Sequence, residues 1–298
     1  MESVGLGEFY SIACALIWSG ATVLFRMSGE HVPPVALNLF KNSVALVLFL
    51  VTLPAIGVPL APPDRPAEDW AVLLASGAVG IGIADSLFFA ALNRLGAGGL
   101  AIVSSLYSPL VLGAAFLYLD EPVGPALIVA ATLMVGAIVV GAWQAPGAAT
   151  AADRRRIASG VTLGTASIVL MAVAIVAAKP VLERSDPWWA TTVRVVGGLA
   201  VLSIQALAPS RRSEVAAAFR PGRGWAVTIP ASFLGAYVAM ILWIAGMKEV
   251  YAGLASVLNQ TSTLFTPVLG VIFLRERITT RKGLAIAMAF SGAAIAVL

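Results

Sequence analysis

The sequence has one cysteine, one histidine and few charges: 11% of its 298 residues are Asp, Glu, Lys or Arg, against about 25% in an ordinary soluble domain. Each shortage removes a class of function. Cys14 alone closes no intramolecular disulfide and supplies no thiolate cluster, and it lies inside an apolar run, where packing is its expected role. His31 stands beside Pro33 and Pro34, so a two-histidine metal site lacks half its ligands and a serine–histidine triad would depend on this one ring. The chain carries no His-Glu-x-x-His, no Gly-x-x-x-x-Gly-Lys-Ser/Thr and no Gly-x-Gly-x-x-Gly. No recognisable metal, nucleotide or dinucleotide chemistry is left, and neither a cofactor nor an enzyme is expected. The formal charge of +4 sits in short clusters between apolar runs, which speaks against nucleic acid as a partner.

What the chain has in excess is apolar surface, 59% of its residues against roughly 45–50% in soluble proteins. A water-soluble globule is excluded. A bilayer-crossing helix needs about 20 mostly apolar residues, and ten segments qualify, near residues 7–27, 34–57, 69–92, 98–119, 123–143, 158–180, 187–207, 225–247, 252–274 and 280–298. The breaks hold turn-formers or charges, such as Pro33-Pro34, Asp120-Glu121-Pro122 and Asp186-Pro187. Runs such as Leu127 to Trp143 are continuously apolar, whereas a membrane β-barrel needs short alternating strands. Met1 to Gly7 contains Glu2, no basic residue and nothing like a following cleavage site, so a cleaved signal peptide is not expected.

The second half of the chain repeats the first. Trp70-Ala71-Val72 with Gly80 matches Trp225-Ala226-Val227 with Gly235, and Leu119-Asp120-Glu121 matches Leu274-Arg275-Glu276, both at an offset of 155. Arg26, Pro34 and Lys41 match Lys179, Pro187 and Arg194 at 153. The predicted organisation is a first five-helix repeat over 1–143, a basic linker over 144–157 and a second repeat over 158–298. Five is odd, so the second copy enters the membrane from the opposite side. The fold class expected is all-α: a polytopic membrane protein of ten transmembrane helices in two inverted five-helix repeats, an architecture of secondary transporters.

Each repeat has a proline-containing fourth helix ending in an acidic turn, Ser108-Pro109 to Leu119-Asp120-Glu121-Pro122 and Thr266-Pro267 to Leu274-Arg275-Glu276-Arg277. With the ten duplicated segments, this resembles the EamA-type members of the drug/metabolite transporter superfamily over nearly the whole chain. Pro109 and Pro267 depart from the pattern, being 158 apart. The resemblance implies export of small metabolites, amino acids among them, without ATP, and points to the aromatic amino-acid exporters. The expected partners are a small-molecule substrate, the lipid of an inner (plasma) membrane and protons as coupling ion, with the chain a monomer. A channel or a non-catalytic membrane scaffold component is the alternative.

Ionisable residues inside a span are costly, so each needs a reason. Asp85 lies 15 residues past Trp70 and 8 before Asn93, roughly 12 Å from the nearer helix end and too deep to snorkel. It reads as a substrate-ammonium or proton site, or as an anchor hydrogen-bonded to a neighbouring helix. Lys41 and Arg194, each seven residues past the proline opening its helix, sit about 10 Å deep, where a long stem reaches the interface. Snorkelling is the plain expectation for both, and gating pairs with Glu183 or Glu30 the alternative. Glu121 and Glu276 open the last helix of each repeat, where a negative charge suits the helix dipole.

Ser104, Tyr107 and Ser108 are spaced to share a helix face, and the equivalent face of the second repeat holds Asn259, Ser262 and Thr263, with Ser105 and Gln260 beside them. Matched polar stripes in two apolar helices predict a hydrated cavity near the midplane, or else interhelical hydrogen bonding. Trp18, Phe88, Phe89, Tyr237 and Trp243 are placed to line such a cavity or to face lipid. Trp70, Trp188, Trp189 and Trp225, at helix starts, are expected in the interfacial belt. Ala130, Ala137 and Gly141 match Ala285, Gly292 and Ala296, which marks helices 5 and 10 as close-packed scaffold. Loops after the odd-numbered helices carry thirteen Lys and Arg and the other loops four. That bias places both termini outside, whereas the resemblance implies cytoplasmic termini.

Overall fold

A computed structural model of the chain describes residues 5–120 and 150–295, with isolated positions between 125 and 140. Every regular element among these residues is helical. In chain order they are α1 (Leu6–Ser28), α2 (Pro34–Ala55), α3 (Ala67–Gly77), a π-helical stretch (Ala78–Ala84), α4 (Asp85–Ser104), α5 (Tyr107–Leu119), α6 (Ala151–Glu183), α7 (Pro187–Ala206) and α8 (Pro209–Ala218). The order continues with α9 (Trp225–Ser232), a second π-helical stretch (Phe233–Val238), α10 (Ala239–Glu249), α11 (Ala252–Asn259), α12 (Ser262–Leu274) and α13 (Thr280–Ile295). Seven helical runs are long and apolar enough to cross a bilayer: α1, α2, α3 through α4, α6, α7, α9 through α10, and α11 through α12.

Local chemistry accounts for where several helices begin. Pro34 and Pro187 occupy the first turns of α2 and α7, where the missing N–H costs nothing. The Asp186 carboxylate accepts from the backbone N–H of Trp188 (2.9 Å) and Trp189 (3.1 Å), capping α7. Thr150 and Asp153 form a reciprocal capping box at α6. α8 buries none of its residues and carries Arg211 and Arg212 on the surface.

The expected ten spans meet three interruptions. The break placed at Gly96 to Gly99 is a kink, with Gly96 at φ 74° and ψ 173° in a region only glycine adopts freely. The expected fourth segment breaks at Ser105 and Leu106, leaving α5 with 13 residues, and the expected ninth breaks at Gln260 and Thr261. Most of the expected fifth segment, with Glu121, Ala130 and Gly141, lies outside the described residues, as does Ala296.

The irregularities repeat as the sequence does. The two π-helical stretches start at Ala78 and Phe233, the breaks fall at Ser105-Leu106 and Gln260-Thr261, and the two non-glycine residues with left-handed backbone are Asp120 (φ 52°) and Arg275 (φ 54°). Each pair is 155 apart. A left-handed non-glycine residue is uncommon enough that its recurrence reflects a duplicated backbone, not merely a duplicated composition.

Packing is tightest where small residues allow it, though not in helices 5 and 10. α3 and α7 cross in backbone contact: a Cβ on Gly77 would overlap the Arg194 carbonyl, and one on Gly197 would overlap that of Leu74. In the expected scaffold pair, Ala137 and Ala285 meet in a small buried cluster with Ile102 and Ala289. Large apolar side chains such as Val47, Val51, Leu117, Ile204 and Ile272 point outward, as lipid-facing positions do. Trp189 corrects the belt assignment. It is buried, its Nε1 donates to the Leu60 carbonyl (3.2 Å), and its ring meets Trp70 edge-on at 4.9 Å.

Candidate functional site

A cavity of about 140 Å³ opens where helices of both halves converge. Trp18 reaches it from α1, Asp85 and Phe88 from α4, Tyr107 from α5, Arg194 from α7, Trp243 from α10, and Asn259 from α11. Ser104 and Gln260, flanking the two breaks, complete its polar wall, and Ile168, Met171 and Ile175 of α6 supply an apolar side. A smaller void of about 20 Å³ shares Trp18, Phe88, Ser104 and Ser262 with it and extends to Ala97.

The breaks decide which residues face this space. Shared spacing along one uninterrupted helix would turn Ser104, Tyr107 and Ser108 the same way, but the chain changes direction at Ser105 and Leu106. Ser104 and Tyr107 line the cavity. Ser105 and Ser108 do not: both are fully buried, the Ser105 hydroxyl donating to the Ile102 carbonyl (2.7 Å) and Ser108 sitting 3.4 Å from the Ser256 hydroxyl. They act as hydrogen-bonding glue, a correction to their place in the expected binding stripe. Gln260 joins the breaks, its Nε2 donating to the Ser104 (3.0 Å) and Ser105 (3.1 Å) carbonyls. Tyr237 also leaves the expected set. Its hydroxyl is 2.5 Å from that of Thr52 and its ring packs on Phe49 and Trp188, away from the cavity.

Charge is arranged unlike the snorkelling expectation. Lys41 is wholly enclosed and its ammonium bonds the Asp85 carboxylate at 2.6 Å, while lying 5.5 Å over the Phe89 ring. α2 is surrounded by protein here, so the ammonium meets a carboxylate before it meets an interface. Glu183 and Glu30, the other expected partners, pair within their own helical stretches with Lys179 (2.7 Å) and Arg26 (3.8 Å). Arg194 is also buried, held by the crossing at Gly77, with its Nε donating to the Ser76 hydroxyl (3.1 Å). Among the described residues no carboxylate pairs with its guanidinium, and its Nη1 has no partner. The Asn259 Oδ1 is likewise without one among them.

Glu276 caps a helix start, but not that of its own helix. Its carboxylate accepts from the backbone N–H of Ala97 (2.8 Å) and Gly98 (3.1 Å), just past the Gly96 kink. It thus holds the first half of the chain from the second, at the end of the smaller void. Glu276→Gln removes the charge from both bonds and should lower stability by about 1–2 kcal/mol. Thermal unfolding in detergent measures it, and an unshifted transition would show that water replaces the cap freely.

The comparison of sequence with known families settles what kind of protein holds this cavity. The EamA-like transporter family model matches residues 5–142 and again residues 158–298. The chain belongs to the EamA-like transporter family. It is therefore a multi-pass membrane protein of the drug/metabolite transporter superfamily, carrying the EamA domain twice. A solved structure, described only as the crystal structure of a protein, is similar over 97% of this chain and 96% of its own, with TM-score 0.70 and 22% identity. At that identity the likeness speaks for the EamA-like fold alone. No curated protein matches the chain.

Proposed function

We propose that this EamA-like protein is a secondary transporter that exports small organic metabolites, amino acids among them, by alternating access between two inverted five-helix repeats. The observation that carries this is the cavity itself. Helices of both repeats build it, aromatic rings (Trp18, Phe88, Tyr107, Trp243) form much of its wall, and buried charge that a bilayer would penalise is gathered beside it. Aromatic walls favour an aromatic solute over an aliphatic one. Ten spans in the inner (plasma) membrane and a monomeric chain complete the proposal. Protons are the proposed coupling ion, because protonating Asp85 would release Lys41 from the hydrogen bond that holds it. Glu276, with its repeat-mate Glu121, is assigned to gating at the two ends of the cavity.

Cysteine labelling tests the alternating-access part. In a Cys14→Ala background, Ser104, Tyr107, Asn259 and Gln260 changed singly to Cys should react with an impermeant thiol reagent from one side at a time, and substrate should shift which side. Simultaneous reaction from both sides would make the cavity a channel, and no reaction in folded protein would remove it from the transport path. Following the basic loops, both termini are placed outside. A reporter active only in the periplasm should work when fused at Leu298, and signal there from a cytoplasm-only reporter would reverse the topology.

A further inference from the structure

We infer that the cavity recognises its solute through an anionic head group, a carboxylate held by Arg194, and not through an ammonium on Asp85. The assignment rests on the cavity being the solute site proposed above, and it starts from the balance of charges around it. Asp85 and Lys41 neutralise one another across 2.6 Å. That leaves Asp85 matched within the protein before any solute arrives. Arg194 is the charge left over: it lines the cavity, it is 5% exposed, and among the described residues its Nη1 has no acceptor. A guanidinium stays ionised in proteins, so it does not escape this by losing a proton. Its planar fork matches a carboxylate, which would restore both the missing hydrogen bond and the missing countercharge.

A second atom narrows the class. The Asn259 Oδ1, on a helix of the other repeat and lining the same cavity, has no donor among the described residues. One wall therefore lacks an acceptor and the opposite repeat lacks a donor. A small monocarboxylate with a hydroxyl or amino group next to the carboxylate supplies both at once. Its body must be apolar, since Trp18, Phe88, Met171 and Trp243 face the remaining space. The solute class is 2-hydroxy or 2-amino carboxylates with an aromatic or large aliphatic side chain.

Binding in detergent distinguishes this from the ammonium alternative without any mutation, because Trp18 and Trp243 report occupancy by fluorescence quenching. The probes are 3-phenyllactate, its uncharged amide, and 2-phenylethylamine. The acid should bind at least about 10-fold more tightly than the amide or the amine, the usual worth of one charge-assisted contact. Arg194→Gln should bring acid and amide together, and Asn259→Ala should erase the preference for 3-phenyllactate over 3-phenylpropionate. Should Arg194→Gln fail to fold, the wild-type series and Asn259→Ala still decide. Equal or tighter binding of the amide or amine, or no binding of the acid, overturns the inference. Counterflow with the same probes judges transport separately: an amine carried while the acid is not would sink the Arg194 assignment and leave the transporter standing.

Discussion

Asp85→Asn is expected to cost about 3–5 kcal/mol of stability, the usual penalty for stranding a buried charge by removing its partner. The substitution keeps the size of the side chain, so the loss is electrostatic. Lys41 is wholly enclosed and its ammonium donates to Asp85. The contact with the Phe89 ring, at 5.5 Å, compensates a small part. Changing both partners, Asp85→Asn with Lys41→Met, should recover most of the lost stability, because a buried pair replaced as a unit is often near neutral. Unfolding temperatures of monodisperse protein in detergent measure this. A single mutant as stable as wild type would mean that Lys41 finds another partner or water. If the double mutant folds and still transports with an unchanged pH profile, the pair is an anchor and leaves the coupling mechanism.

Adding one methyl group at Gly77 or Gly197 should be as damaging. A Cβ there meets the carbonyl of Arg194 or of Leu74, backbone atoms with no rotamer to move aside. Overpacking costs about 1–3 kcal/mol where side chains yield, and here α3 and α7 must separate instead. Arg194 rides on that crossing, so Gly77→Ala and Gly197→Ala should lose transport together with stability. Gly20→Ala and Gly113→Ala are the controls, since open space surrounds both positions within their helices. Those two should be neutral or stabilising by up to about 1 kcal/mol. Yields of monodisperse protein and unfolding temperatures compare the four. Equal behaviour of the two pairs would show that the α3–α7 contact is not the tight seam described.

How much of the fold and the cavity is legible in the sequence depends on whether the property is local. Apolar runs long enough for a bilayer are local, and so is the duplicated Trp-Ala-Val, which is why residue order alone reveals the helical class and the repeat. The depth of Asp85 is legible for the same reason. Its partner is not, because Lys41 lies 44 positions away and the snorkelling argument assumes a helix facing lipid, whereas α2 is enclosed at Lys41. The stripe of Ser104, Tyr107 and Ser108 fails in part because no glycine or proline marks the break at Ser105 and Leu106. The break is sustained from a distance, by the Gln260 amide on the carbonyls of Ser104 and Ser105. Repeat position equates Arg194 with Lys41, and only packing separates them: one is paired and the other faces the cavity with a free donor. Small residues do mark close contacts, but many are scattered along the chain, and sequence alone does not single out Gly77 and Gly197.

Carrier function is tested most directly by counterflow. Purified protein reconstituted in liposomes loaded with unlabelled phenylalanine, then given a trace of labelled phenylalanine outside, should accumulate label transiently above its equilibrium level, with saturable kinetics. Gly77→Ala protein that reconstitutes should show no such overshoot. Label that only relaxes to equilibrium, at a rate linear in concentration, would contradict alternating access and make the cavity a pore.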